Sequence, residues 1–359
     1  HLQVTRSFLE LVELYPEYFK EIDLNLPESN NDLPDIVDEA LWGLDVFRRL
    51  QTKAGGIPGG IESSGHPIRP EGSWQESQTV MVYGPGIWSS YTYANVAARA
   101  AYVLAAYDQD LANTYKDSAI RAMNWANAEL AKEPEEPDSF LYSRVYDERN
   151  LAAAELYRLT GDEQWHQLFL DTTIFTNANA PLKRWNNHDH SHAAFVYART
   201  ERPKINHTIK QNAINTLVWT AKTDIENIER TGFKWNVDPG LMIGWGTMTT
   251  PKTQTLFHAH TLTGDDAYLK AGILATQFAA GANPSNMSFT IGFGHRNPNM
   301  PLLSDVRALC KEQSPRTTVY APMDLPDAVV HVRYFSLAVD MFASEMTPTP
   351  WQWPTSEAY

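Results

Sequence analysis

Leu159-Thr-Gly-Asp-Glu163 and Leu262-Thr-Gly-Asp-Asp266 are two nearly identical pentapeptides in a chain of 359 residues. Each follows a stretch with apolar residues at helical spacing and precedes another such stretch. A glycine directly after a helix readily adopts the left-handed backbone conformation that ends the helix. The repeated pentapeptide therefore predicts equivalent corners in an array of antiparallel helical hairpins.

On both sides of these corners, apolar periodicity predicts about eleven helices and almost no strands. Long loops at residues 55–90 and 281–327 contrast with the short Thr-Gly-Asp corners. We expect an all-α (α/α) toroid whose long loops gather at the ligand-binding end, with a solenoid of helical repeats as the alternative. The predicted helices are Val4–Phe19, Ile36–Gln51, Tyr93–Asp108, Lys116–Ala131, Asp147–Thr160, Glu163–Thr173, His192–Arg199, Ile209–Glu229, Pro251–Thr263, Ala267–Ala280 and Asp327–Glu345.

Composition narrows the classes of ligand. The net charge of −14 argues against nucleic acid or an anionic membrane surface as partner.

No stretch approaches the roughly 18 to 20 apolar residues of a membrane span. The single cysteine, Cys310, excludes an internal disulfide framework. An aromatic content of 11% is compatible with a carbohydrate-binding surface, and a tightly packed core is the competing explanation.

Two glycine-rich segments present aromatic rings. Gly244 and Gly246 flank Trp245, and Gly292-Phe-Gly-His-Arg296 places His295 and Arg296 directly after a ring. Glycine allows tight turns next to a large side chain. An exposed ring beside hydrogen-bonding side chains suits a sugar, which has apolar C–H faces and a hydroxylated rim. The alternative interpretation is that Trp245 is a core residue between turn glycines.

Five segments, in this order along the chain, resemble glycoside hydrolase family 9, the inverting cellulases and their relatives on a six-hairpin toroid. The resemblance implies a glycosidase that hydrolyses β-glucan or cellulose-type polysaccharides and their oligosaccharides. It implies one (α/α)6 catalytic-type domain over residues 1–359, and a secreted or periplasmic parent protein. The segments are Leu33–Asp45, Tyr146–Tyr157 with Thr160–Asp162, Gly244–Gly246, Leu262–Asp265, and Asn283-Pro284 leading to Gly292–Gly294.

The family's catalytic carboxylates have no counterparts in this sequence. Its aspartate pair, in a motif like Asp-Ala-Gly-Asp, is expected upstream of His1, and its general-acid glutamate beyond Tyr359. We therefore expect a fragment, cut at both ends, with an incomplete toroid and no activity by itself. Loop carboxylates could act instead, although capping or solvated roles are favoured for them: Glu76, Asp305 and Asp324.

The resemblance also implies a substrate-binding set: Trp74, Trp245, His295, Arg296 and Arg307. Packing within its loop is the alternative for Trp74. Trp88 is expected to serve packing. Met300, Leu302 and Leu303 stand where histidines are expected. This departure raises the alternative of a non-catalytic glycan-binding relative. A sugar epimerase on a similar toroid is a third hypothesis, and the Gly-Phe-Gly loop and the Thr-Gly-Asp corners weigh against it.

A structural calcium site is implied at Ser143, Asp147, Glu148 and Asp189, which match the places of ligands in the family's calcium-bearing members. Oxygen ligands of this kind suit calcium. The alternative is that Asp147 and Glu148 favour the positive N-terminus of a helix. The alternating His188, His190 and His192 invite a zinc hypothesis, but no cysteine or second motif accompanies them. No organic cofactor is predicted.

Overall fold

The computed structural model describes residues 1–65, 71–133, 140–183, 190–236, 252–283, 286–298 and 318. These residues form eleven α-helices and one two-stranded antiparallel sheet, which confirms the all-α prediction. The predicted helix Asp327–Glu345 lies outside the described residues. The helices are α1 (Leu2–Leu14), α2 (Pro16–Lys20), α3 (Asp35–Leu50), α4 (Ile87–Leu104), α5 (Gln109–Leu130), α6 (Phe140–Thr160), α7 (Glu163–Thr172), α8 (His190–Arg199), α9 (His207–Arg230), α10 (Gln254–Thr263) and α11 (Asp266–Ala279), and the strands are β1 (Ile61–Ser63) and β2 (Val80–Val82).

The chain divides into two compact units. The first contains His1–Ser64 and Val80–Thr216, and the second contains Gly65–Thr79 and Leu217–Tyr359. Helix α9 belongs to the first unit through Thr216 and to the second from Leu217. The prediction of one domain over residues 1–359 stays a prediction. None of the described helices has the length and apolar character that a membrane span requires.

Three helices of the first unit, α4, α6 and α8, are buried on nearly every side. Helix α4 packs on α1, α5 and α6, and α6 packs in turn on α7 and α8. Small side chains allow this close approach, since Ala97, Ala98 and Ala101 are all inaccessible to solvent. A helix that is apolar all round belongs in a core, so these three are the inner helices.

The inner helices place their N-terminal ends together. The connections after α4 and α6 are short, residues 105–108 and 161–162, and short connections join antiparallel neighbours. The segments before α4 and α8 are long, residues 51–86 and 173–189. We call the N-terminal ends of α4, α6 and α8 the site end of the first unit, because long segments commonly carry function.

The two predicted Thr-Gly-Asp corners have the same geometry. Gly161 follows α6 with φ 73°, and Gly264 follows α10 with φ 71°. In each corner the threonine hydroxyl accepts the N–H of the aspartate, at 3.1 Å from Asp162 and 3.2 Å from Asp265. The left-handed C-cap prediction is confirmed at both positions.

Several element predictions were incomplete, and α4, α5 and α6 begin earlier than the predicted Tyr93, Lys116 and Asp147. The predicted helix Val4–Phe19 is two helices, because Pro16 has no N–H to donate and disfavours a helical conformation at Tyr15. The predicted long loop at residues 55–90 contains the β1–β2 hairpin, in which Ile61 pairs with Val82 and Ser63 with Val80. Strands of three residues are too short to give a clear alternation in the sequence.

The base of the β1–β2 hairpin is fastened to the start of α4. Ile57 is fully buried; its N–H donates to Ser90 Oγ at 2.9 Å, and its carbonyl accepts from Ser89 Oγ at 2.7 Å. Gly55, with φ 113°, lies so close to α5 that an added Cβ would stand 2.5 Å from the Arg121 carbonyl oxygen. The residues that precede the hairpin are therefore tightly packed against α4 and α5, which anchors the hairpin at the site end.

A buried ionic network connects the inner helices to α1. Arg99 on α4 is 1% exposed and donates to Glu10 at 2.6 Å and to Glu155 at 2.7 Å. Arg158 continues the network from Glu155 (2.7 Å) to Glu13 (2.6 Å). Glu13 also accepts from Arg199 on α8 at 2.6 Å. Three carboxylates and three guanidinium groups are thus paired in the interior.

The charges of this network set the pKa of Glu13. Burial alone would raise that pKa, but the attraction of Arg158, Arg99 and Arg199 outweighs it, so the pKa is lowered from its ordinary value of 4.5. Glu13 is therefore ionised in the folded protein at neutral pH.

The second unit has two clusters of buried apolar side chains. One joins α9, α10 and α11 through Leu256, Ala259 and Ala275. The other holds the segment after α11, where Phe278 stacks on Trp235 with ring centroids 5.1 Å apart and Phe289 packs alongside. Asn283 secures this segment, since its side-chain amide donates to the carbonyls of Phe278 and Met287.

Candidate functional site

Aromatic and cationic side chains cluster at the site end of the first unit. Tyr142 and Tyr146 are one turn apart on α6, and their hydroxyl oxygens are 2.5 Å apart. Trp88, in the first turn of α4, is half-buried beneath the guanidinium of Arg144, which lies 4.9 Å from its ring centroid. Stacking of Arg on Trp is a favourable contact. The packing role predicted for Trp88 thus includes holding this arginine.

Asp147 and Glu148 are buried in α6 at the same end. Asp147 is hydrogen-bonded to His190 Nε2 at the start of α8, and Glu148 Oε2 accepts from Asn95 Nδ2 at 2.7 Å. His190 Nδ1 accepts the N–H of Lys183 at 3.3 Å, which puts the ring proton on Nε2, where it is donated to Asp147. Partners from α4 and α8 therefore orient both carboxylates.

The helix-terminus interpretation of Asp147 and Glu148 is wrong. Helix α6 begins at Phe140, so both residues lie in its interior, beyond the first turn where the helix dipole favours an anion. The sequence prediction began this helix at Asp147, although Tyr142, Val145 and Tyr146 are spaced i, i+3 and i+4, as on one helix face. Tyr142, Arg144 and Tyr146 were therefore not considered as site residues.

The predicted calcium ligands are brought together only in part. Ser143 and Asp147, four residues apart, share a face of α6, and Glu148 is adjacent. Asp189 lies outside the described residues. Within the described part of the chain, Asp147 and Glu148 belong to no cluster of three or more acidic, histidine or cysteine groups with metal-binding spacing. Their oxygen donors match the ligand preference of calcium.

The histidines of the zinc hypothesis have different partners. His188 is outside the described residues. His190 bonds to Asp147, whereas His192 Nδ1 lies 3.7 Å from a carboxylate oxygen of Glu10. Residues two apart on a helix do not face each other, which explains the separate partners.

Trp74 lies in the second unit on a short, self-bonded turn. The N–H of Gln75 donates to the Gly72 carbonyl at 2.8 Å, and the Gly72 N–H donates to the Gln75 side chain at 3.0 Å. A Cβ on Gly72 would stand only 2.5 Å from the Trp74 ring, so the indole lies directly on Gly72. The side chain is 56% exposed. It is a fixed aromatic surface open to solvent.

Nearby in this turn, Glu76 is exposed and accepts the N–H of Gln78 at 2.8 Å. Glu76 therefore caps a backbone N–H of its own loop, which is the role favoured for it over catalysis. Asp305 and Asp324, the other loop carboxylates, lie outside the described residues.

The Gly292–Arg296 loop, also in the second unit, is closed by two hydrogen bonds. Ser288 N–H donates to the Arg296 carbonyl at 2.9 Å, and Gly292 N–H donates to Asn297 Oδ1 at 3.0 Å. Gly292 and Gly294 have φ 74° and 72°, as expected for glycines in a tight turn. His295 and Arg296 are exposed. Trp245, Arg307, Met300, Leu302 and Leu303 lie outside the described residues, so their assignments stay predictions.

Solved structures with a similar fold define the class of protein. A metagenome-derived glycoside hydrolase family 9 endoglucanase superimposes with a TM-score of 0.76 and 27% identity, covering 90% of this chain and 60% of that chain. AaCel9A in complex with cellobiose-like isofagomine gives a TM-score of 0.78 at 18% identity, covering 92% of this chain and 65% of that chain. These structures are (α/α)6 barrels, which confirms the predicted fold.

The profile of glycosyl hydrolase family 9 matches residues 4–314. The chain therefore belongs to this family. Among curated relatives, endoglucanase D of Acetivibrio thermocellus is 26% identical over 309 residues, covering 79% of this chain and 47% of the relative. A xyloglucan-specific endo-beta-1,4-glucanase of Bacteroides ovatus is 24% identical over 319 residues, covering 81% of this chain and 52% of the relative. The chain thus spans about half the length of the curated relatives it matches.

Proposed function

We propose that the polypeptide carrying this chain hydrolyses β-linked glucans or their oligosaccharides with inversion at the anomeric carbon. The match to glycosyl hydrolase family 9 over residues 4–314 carries the proposal. The names of the relatives, endoglucanase and xyloglucan-specific endo-beta-1,4-glucanase, point to β-1,4-linked glucans as the substrate class. Because such substrates are polymers outside the cell, we propose a secreted or periplasmic protein.

Within this function, we propose that residues 1–359 contribute substrate contacts. Inversion requires a general acid and a base about 6.5 to 9.5 Å apart. We place neither of them in residues 1–359, so this chain by itself is expected not to turn over substrate. The proposed sugar contacts are Trp74, Trp245, His295, Arg296 and Arg307. Of these, Trp74 has the strongest support, because its ring is fixed on Gly72 and exposed.

The test is hydrolysis by the whole polypeptide. Incubation with carboxymethylcellulose, xyloglucan and cellohexaose is expected to release reducing ends. Proton NMR early in the reaction should show the α-anomer first, because inversion converts a β-linkage into an α-hemiacetal. Trp74→Ala should raise KM, whereas Trp219→Ala, at an exposed tryptophan on α9, should not. A β-anomer as first product, or no release from any β-glucan, would contradict the proposal.

A second candidate function is glycan binding without turnover. The observation that favours it is the sequence at Met300, Leu302 and Leu303, where histidines are expected in the family. This candidate predicts retardation of the whole polypeptide in gels that contain β-glucan, with no release of reducing ends. The same two assays therefore separate the two functions.

We propose calcium as a structural ion held by Ser143, Asp147, Glu148 and Asp189. The support is the oxygen-only donor set and the shared helix face of Ser143 and Asp147. Asp147 and Glu148 are already oriented by His190 and Asn95, and such partners commonly fix the ligands of a metal.

Calcium is expected to raise the Tm of the protein. A ligand specific for the folded state stabilises it by about 2.7 kcal/mol at a hundredfold excess over its Kd. Differential scanning calorimetry with calcium and with a chelator measures the difference. Asp147→Asn should reduce the gain, and Asp117→Asn, at an exposed position on α5, should leave it intact. Identical melting curves with and without calcium would rule out the site.

A further inference from the structure

The β1–β2 hairpin of the first unit presents two exposed faces of different chemistry. Alternation along the strands and the pairing of Ile61 with Val82 place Ile61, Val80 and Val82 on one face. The pairing of Glu62 with Met81, and the N–H of Tyr83 donating to Gly60, place Glu62, Met81 and Tyr83 on the other. The first face also carries Ser63 and is otherwise aliphatic. The second, the Tyr83 face, combines an aromatic ring, a thioether and a carboxylate.

The ring on the Tyr83 face is both exposed and fixed. Tyr83 is 54% exposed, and its hydroxyl donates to Glu62 Oε2 on the opposite strand. Glu62 and Tyr83 are diagonal neighbours on one face, which an aromatic and a long side chain can bridge. The contact also accounts for the raised pKa of Tyr83, since the hydrogen bond to Glu62 and the charge of that carboxylate oppose a phenolate.

The base of the hairpin gives this face a defined position. The buried Ile57 is bonded to Ser89 and Ser90 in the first turn of α4, and Pro58 forms a backbone bridge with Pro85. The hairpin is therefore anchored at the site end, where Trp88 and the Tyr142–Tyr146 pair also lie.

We propose that the Tyr83 face is an accessory contact for a β-linked glucan chain. A pyranose ring places its C–H face on the Tyr83 ring, and its equatorial hydroxyls donate to the Glu62 carboxylate. An uncharged polyol fits this face better than a polyanion, because Glu62 and the net charge of −14 repel anions. The inference rests on the proposed function, since it takes the glucan from there.

The experiment compares substrates of different length on the whole polypeptide. Calorimetric titration with cellotriose and cellohexaose gives Kd, and steady-state assays give KM and kcat. Tyr83→Ala is expected to weaken binding of cellohexaose about fivefold, in line with the energy of a ring-stacking contact, and to leave cellotriose unchanged. Tyr83→Phe keeps the ring and should lose less. Val82→Thr on the aliphatic face is the matched control, because it preserves strand-forming character.

The outcomes distinguish the inference from the proposed function. Equal Kd values for Tyr83→Ala and the unaltered protein, with hydrolysis intact, would overturn the inference alone. An equal loss for both oligosaccharides, together with a lower Tm, would mean that Tyr83 only stabilises the hairpin, and would also overturn it. Length-dependent binding without turnover would support the inference and overturn hydrolysis. No binding of any glucan would overturn both, and capture of a protein partner by the Tyr83 face in place of glucan would count against the inference.

Discussion

Arg99→Met is expected to destabilise the protein by about 3 to 5 kcal/mol, the usual cost of removing one partner from a buried ion pair. The substitution leaves Glu10 and Glu155 without the guanidinium that both of them contact in the interior. Methionine fills part of the space, so the loss reflects charge more than volume. Chemical denaturation followed by circular dichroism measures the free energy of unfolding.

The matched control for Arg99 is Lys132→Met. Lys132 pairs with Glu129 at 2.7 Å, but the lysine side chain is 66% exposed, and such pairs contribute little. The double variant Arg99→Met with Glu155→Leu should lose less than the sum of the two single variants, because it removes both charges. A loss below about 1 kcal/mol in Arg99→Met would contradict the importance assigned to the network.

The same network predicts that the free energy of unfolding falls at acidic pH. The folded-state pKa of Glu13 is below its ordinary value, so its stabilising contribution is fully present above pH 4.5. The contribution is lost as the pH falls through the lowered folded-state pKa. Arg99→Met should make this contribution smaller and its loss complete at a higher pH, because one of the charges that lowers the folded-state pKa of Glu13 is gone.

Gly55→Ala is expected to destabilise the first unit by about 1 to 3 kcal/mol or more. This is the cost of holding a residue with a side chain in a disfavoured backbone conformation. The φ of Gly55 is 113°, and its Cβ would lie 2.5 Å from the Arg121 carbonyl oxygen, so α5 or the loop must also shift. The hairpin base beside it should loosen. Amide hydrogen exchange at Ile57 and Tyr83 reports that loosening.

Gly59→Ala provides the comparison for Gly55→Ala. Gly59 lies four residues further along the same loop, and the nearest atom to its Cβ would be at 4.0 Å, an ordinary contact. It should be nearly neutral in the same denaturation and exchange measurements. Similar losses in the two variants would show that the loop tolerates no side chain anywhere, and would remove the specific role of the contact with α5.

Local signals in the sequence predicted the turns well and the site only in part. The Thr-Gly-Asp corners were predictable because a left-handed glycine and a threonine hydroxyl act within a few residues. The starts of α4, α5 and α6 were placed too late, because the apolar residues at helical spacing in Ile87–Thr92 and Phe140–Tyr146 were not counted as part of the helices. Asp147 was singled out as a candidate ligand, and that role stays a prediction; its contact with His190 depends on the packing of α8 against α6.

The ionic network could not be predicted from the sequence, for a different reason. Its partners are far apart in sequence, and a carboxylate at helical spacing is indistinguishable from one on a solvated face until the helices are packed. Glu10 and Glu13 gave no sign of burial in the sequence, since glutamate side chains are usually exposed. Only the charge balance of three acidic and three basic groups in one interior explains why they are tolerated there.

The sequence separations within the network bear on how the chain is made. Glu10 is 89 residues from Arg99, and Glu13 is 145 residues from Arg158 and 186 from Arg199. During synthesis, the carboxylates of α1 leave the ribosome long before any of these arginines. Pairings of such high contact order form slowly. We therefore expect the carboxylates of α1 to stay solvated during synthesis until these arginines have emerged, so that the arrival of Arg199 on α8 completes the network.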